Sequence, residues 1–145
     1  MNKTVFAGAV LILVATAAFA HQGVKNATVK ARMDGMSAIA DNMKVLGNMA
    51  KGKVAFDAAT AQAAARAIAE EAGQTPALFK AQEDDPKSEA KPGIWDNFSD
   101  FSTKSDELKN VALTLSTSLD TLDDVRAGVG ALGRACKACH SRYRE

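Results

Sequence analysis

Apolar and small residues recur over 24–51 as Val29, Met33, Met36, Ala40, Met43, Gly47 and Ala50, a four-three spacing that predicts a long amphipathic helix. Ile39 and Leu46 widen its stripe, and Lys51-Gly52-Lys53 supplies a basic, glycine-stopped end. Asp57 then caps a second helix, DAATAQAAARAIAEEAG, whose alanines favour helix and allow close approach to neighbours. Gly73 and Thr75-Pro76 predict its end, with one short turn of helix over PALFKA beyond. The stretch QEDDPKSEAKP, 82–92, is charged and holds two prolines, so it reads as an exposed crossover loop.

A third helix is expected from near Gly93 to about Ser118, burying Ile94, Phe98, Phe101, Leu108, Val111 and Leu115. The fourth starts around Asp120, with Asp123 and Asp124 placed to suit the helix dipole, and runs through Val125, Val129 and Leu132 to the chain end. No stretch alternates with period two. The pattern therefore predicts an all-α fold, an antiparallel four-helix bundle with up-down-up-down topology.

The first twenty residues do not belong to that pattern. Lys3, the apolar run Val5 to Val14 and the Ala18-Phe19-Ala20 ending read as a secretory signal peptide cleaved before His21, too short in its apolar part for a membrane span. This divides the chain into a signal at 1–20 and one domain at 21–145, with a periplasmic destination. Without Lys3 the remainder carries 17 acidic and 17 basic residues, so no net field argues for nucleic acid or a membrane surface.

The two cysteines, Cys136 and Cys139, stand in the last ten residues as A-C-K-A-C-H, followed at once by His140. On a helix turning 100° per residue, Cys139 lies about 60° and His140 about 40° from Cys136, so all three can touch one object. C-x-x-C-H is the attachment sequence of c-type haem: two thiols one turn apart meet two vinyl groups, and the adjacent imidazole reaches the iron. Two other readings compete. A redox-active thiol pair would sit near a helix N-terminus, where the dipole favours thiolate, and zinc would need a fourth ligand that the motif lacks. His21, at a flexible terminus, is a poor ligand.

With these residues in view, the chain resembles the cytochrome c′ family of four-helix-bundle, class II c-type cytochromes. The resemblance rests on "VKARMDGM" and "NMKVLGNMAKGKVAFDAATA" for the first helix and loop, on "KPGIWDNFSDF", and above all on Gly133 through Arg144 with Tyr143-Arg144 after the motif. Arg134 departs from the family's usual small residue. The resemblance implies one covalently attached haem c per chain, bonded by Cys136 and Cys139 and ligated by His140.

It further implies that the residue four beyond a first-helix arginine faces the other side of the iron. Here Arg32 is followed by Met36. Low-spin relatives ligate iron through a methionine there, while high-spin relatives keep an open site that admits NO or CO. From the residues alone, Met36 is divided between flexible core filling and a soft iron ligand, with Gly35 available for close approach to the ring. All four methionines after the signal lie in this one helix. By the same resemblance Arg32 would lie near the haem propionates and Arg144 beside the proximal haem face, while solvated or fraying arginines are the plainer alternatives. Trp95 and Phe98 are expected in the core.

No acid–base pair or activated nucleophile is evident, so the expected role is electron transfer with redox partner proteins, not enzymatic turnover. Arg126, Arg134, Lys137, Arg142 and Arg144 enrich the last helix in positive charge, opposite in sign to Glu83-Asp84-Asp85, and such asymmetry can steer a partner. The family also implies homodimerisation through the first two helices.

Overall fold

The computed structural model describes residues 23–145, so the expected signal at 1–20 and His21 lie outside the described residues. Four long helices build the bundle: α1 (Ala27–Ala50), α2 (Ala58–Leu78), α4 (Phe98–Leu115) and α5 (Leu122–Tyr143), with one extra turn, α3 (Gly93–Asp96), before α4. Helix α1 packs on α2, α2 on α4, α4 on α5 and α5 on α1, which closes the expected ring.

Local chemistry sets the ends. Asn26 caps α1 by accepting from the Thr28 and Val29 amides, and Gly52, at φ +67°, takes the left-handed conformation that turns the chain out of it. Asp57 accepts from the Thr60 amide at the start of α2. Thr121 and Asp124 form a reciprocal capping box at the start of α5.

Three boundaries differ from expectation. Helix α2 does not stop at Gly73 or Pro76 but continues to Leu78. Pro76 has no N–H to give the Ala72 carbonyl, and the Ser105 hydroxyl of α4 donates to that carbonyl instead, at 2.7 Å. A neighbouring helix thus replaces the bond that the proline removes. The third helix is broken, not continuous from Gly93. Asn97 leaves helical geometry at φ −131°, ψ 45°, and the preceding turn swings so that Ile94 is buried and the Trp95 indole N–H reaches the Phe79 carbonyl at 2.8 Å. Helix α4 also ends at Leu115, short of Ser118.

The interior has two separate apolar clusters. One is fine-grained, with Ala61, Ala64, Ala65, Ile68 and Ala69 of α2 against Ile39, Leu46, Ala112, Leu119, Val125 and Leu132. Close approach at that end extends to Gly128, where a Cβ would lie 3.1 Å from Leu115 Cδ2 and 3.2 Å from Leu119 Cδ2. The other cluster is aromatic: Phe101 packs on Phe79, Phe98 and, edge-on, Tyr143, with Ile94 alongside. The fully buried face of α1 is Val29, Arg32, Ile39, Leu46 and Met49. Ile39 and Leu46 therefore lie at its centre, while Met33, Met36 and Met43 are half-buried.

Replacing Ser105 with Ala should cost about 1–3 kcal/mol, the penalty for leaving the buried Ala72 carbonyl without a donor. In a Pro76→Ala background the residue 76 amide can take that bond, so a double-mutant cycle by denaturant unfolding should show a clearly smaller cost for Ser105→Ala. Equal costs in both backgrounds would contradict the replacement.

Candidate haem site

Between the two apolar clusters lies a cavity of about 380 Å³, within the range of small-molecule sites. Helix α1 gives it Val29, Arg32, Met33, Met36 and Ile39, and α5 gives it Cys136, Cys139, His140 and Tyr143, with Arg144 just beyond its end. Helix α4 adds Phe101, Lys104, Ser105 and Leu108, and residues 87–90 of the crossover loop close one side. The single stripe expected for Cys136, Cys139 and His140 thus forms one wall. Met36 lies on the cavity with them, and so does Met33. Met43 and Met49 belong instead to the packed core.

Cys136 and Cys139 are free and half-buried, and burial pushes both thiols up from their ordinary pKa. Neither rests as a thiolate near neutrality, the opposite of what thiol exchange requires. Burial is also the main reason that the His140 pKa is lowered, with the Arg144 cation adding to it and Glu89 opposing it. The imidazole is therefore held neutral, with a lone pair to offer. Among the described residues no group of three or more His, Cys, Asp or Glu side chains is arranged to hold a bare metal ion. A wide, mostly apolar chamber with two thiols and a neutral imidazole along one wall fits a flat macrocycle.

The two arginines are anchored by protein groups. Arg32 is only 2 % exposed; its Nε donates to the Leu78 carbonyl at 3.0 Å, Nη1 to Glu83 O at 2.8 Å and Nη2 to Ala81 O. The guanidinium also stacks over Phe79 and Trp95, 4.7 and 5.4 Å from their ring centroids. It thus satisfies the C-terminal end of α2 and the start of the crossover loop while lining the cavity. Burial lowers its pKa, and the nearby Glu83 and Asp84 oppose that.

Arg144 does not fray. Its Nε donates to Glu89 Oε2 at 2.5 Å, and its backbone pairs with Ala90 in an isolated antiparallel bridge. Trp95 and Phe98 pack in the aromatic cluster, as expected, and Trp95 does not line the cavity. Gly35 does not face the cavity either: a Cβ there would meet Glu71 Oε2 at 3.4 Å and Leu78 Cδ1 at 3.5 Å, both on α2.

Several participants are not apparent in the sequence. The Tyr143 hydroxyl donates to Asp100 Oδ2, which Arg142 also approaches at 3.2 Å; the hydrogen bond from Tyr143, then the Arg142 and Lys104 cations, lower the Asp100 pKa. Asp85, in a segment that reads as solvated charge, is buried and accepts from the Lys25, Asn26 and Lys87 amides. Its two bonds to the N-terminal end of α1 anchor the crossover loop.

A bundle that gives up side-chain packing between two apolar clusters, and lines the space with C-x-x-C-H from its last helix, is the arrangement of a helix-bundle c-type cytochrome. Comparison with known proteins places it further. Residues 27–144 match the family described as Cytochrome C′, and the chain belongs to that family, whose cofactor is covalently attached haem c. It is 38 % identical over 121 residues to cytochrome c-556 of Agrobacterium tumefaciens (strain apple 185), covering 81 % of this chain and 94 % of that one. Its fold is similar to that of cytochrome c′ from Rhodopseudomonas palustris (TM-score 0.77, 25 % identity, 83 % and 98 % of the two chains). A nitric oxide complex of a variant cytochrome c prime from Alcaligenes xylosoxidans is also similar (TM-score 0.72, 28 % identity, 81 % and 94 % covered).

Arg32→Met keeps a long side chain over Phe79 but removes the donors to three carbonyls. It should cost about 2–4 kcal/mol and lower the melting temperature by about 10 °C. An unchanged melting temperature would show that these hydrogen bonds do not secure the end of α2.

Proposed function

We propose that this chain is an exported single-electron carrier in which Cys136 and Cys139 hold the haem by thioether bonds and His140 and Met36 occupy the two axial positions of its iron. One observation carries the reading: Met36 from α1 and His140 from α5 line the same cavity, with the two thiols in its wall. Bound haem supplies a one-electron ferric/ferrous couple.

The protein's part is to orient and to exclude water. His140 presents a neutral ring nitrogen, and the Met36 thioether, a soft ligand, favours the reduced state and raises the potential. Phe101, Ile39 and Leu108 keep the chamber apolar, which disfavours the extra charge of the oxidised site. Removal of residues 1–20 during export and a periplasmic location belong to the same proposal. Among the described residues no helix is long and apolar enough to cross a membrane.

Redox partners are expected to meet the exposed face of α5. Arg126 pairs with Asp123, Arg142 with Asp100 and Arg144 with Glu89, and Arg134 and Lys137 stand exposed on the same helix. A second reading, an open high-spin site that binds NO or CO, is favoured by the likeness to the nitric oxide complex. A homodimer through α1 and α2 is compatible with either.

Met36→Ala separates the two. In the carrier, the variant should lose the long-wavelength band of methionine-ligated ferric haem, turn high-spin and gain ready CO binding in the ferrous form. If the unaltered protein is already high-spin and binds CO as fast as the variant, the open-site reading holds instead.

A further inference from the structure

The crossover loop and the last turn of α5 are stitched together beside His140. The Lys91 amide donates to Tyr143 O, the Glu145 amide to Glu89 O, Ala90 pairs with Arg144, and the Arg144 side chain is held by Glu89. Arg144 follows the last residue of α5 in extended conformation, four residues beyond His140, with its backbone amide bonded to the His140 carbonyl at 3.1 Å. Glu89, Arg144 and His140 all line the cavity. A bare arginine side chain at a chain end would sample many positions; this one has a fixed partner on a segment that is itself anchored at Asp85.

We propose that Glu89 is a positioning residue for the haem iron: it holds the Arg144 guanidinium beside His140, and the two opposite charges together tune the reduction potential. The inference rests on His140 as an iron ligand. The oxidised site carries one more positive charge than the reduced one, so a nearby carboxylate favours the ferric state and a nearby guanidinium the ferrous state. Both groups already act on the His140 ring with opposite sign, beneath the larger effect of burial. Their side chains are 57 % and 52 % exposed, so solvent screens each of them, and each effect is a fraction of the unscreened one.

The test is potentiometric titration of the haem-loaded protein as Glu89→Gln, Arg144→Gln and the double variant, with far-ultraviolet circular dichroism to establish folding. Glu89→Gln should raise the potential and Arg144→Gln lower it, each by about three- to tenfold in the one-electron equilibrium constant, about 30–60 mV. The double variant should return towards the parent value, and Glu89→Asp should stay near it. If both single variants move the potential in the same direction, or neither moves it, the stitching is only structural and the proposal fails. His140→Ala checks the underlying reading separately: survival of the histidine-ligated spectrum in that variant would remove His140 from the iron, whatever the Glu89 and Arg144 variants do.

Discussion

The structure depends on a bundle that is kept open between two packed apolar clusters. Four helices with apolar stripes would ordinarily close on one another until side chains filled the interior at crystal-like density. Here they close fully where α2 presents alanine and Gly128 admits Leu115 and Leu119. At the other end large aromatic side chains form a second cluster, and between the two remains a chamber of about 380 Å³. Left unfilled, a chamber of that size would cost dispersion contacts all around its lining. A covalently attached haem is the kind of group that restores them, which links the stability of this protein to its cofactor.

Keeping the chamber open requires rigid walls, and the walls are tied by polar groups with little freedom. Arg32 reaches from α1 to the Leu78 carbonyl at the end of α2 and to the Ala81 and Glu83 carbonyls just beyond it, Ser105 replaces a bond that Pro76 removed, and Asp85 fastens the crossover loop to the start of α1. Each of these joins an element that lines the cavity to a neighbour. The loop then continues to the last turn of α5, so the side of the site nearest His140 is closed by chain segments about fifty residues apart. Electron transfer benefits from such a frame, because a site that barely moves between oxidation states needs little reorganisation.

Much of this was legible in the residues, and the exceptions have physical causes. Helical periodicity gave the bundle, and the C-x-x-C-H spacing gave the wall of the site, because both are local properties of one helix. The sequence pattern ends α2 at Pro76, since proline's missing N–H normally ends a helix and the rescuing Ser105 is twenty-nine residues away. The methionines of α1 could not be ranked from periodicity: Met33 and Met36 meet the chamber and Met49 the core only once the other helices are placed. Asp85 and Glu89 looked like solvated charge because their partners are backbone amides and a chain-terminal arginine, which no local pattern reveals.

In the proposed carrier, α1 and α5 each give one ligand to the same iron, Met36 and His140. Proton NMR of the ferrous protein, selectively labelled at the methionine methyls, tests it most directly, because ring current and iron ligation shift an axial methionine methyl far upfield. One such methyl is expected, assigned to Met36 by its loss in Met36→Ala, with Met33 outside the axial position. No far-upfield methyl, or one that persists in Met36→Ala, would contradict it.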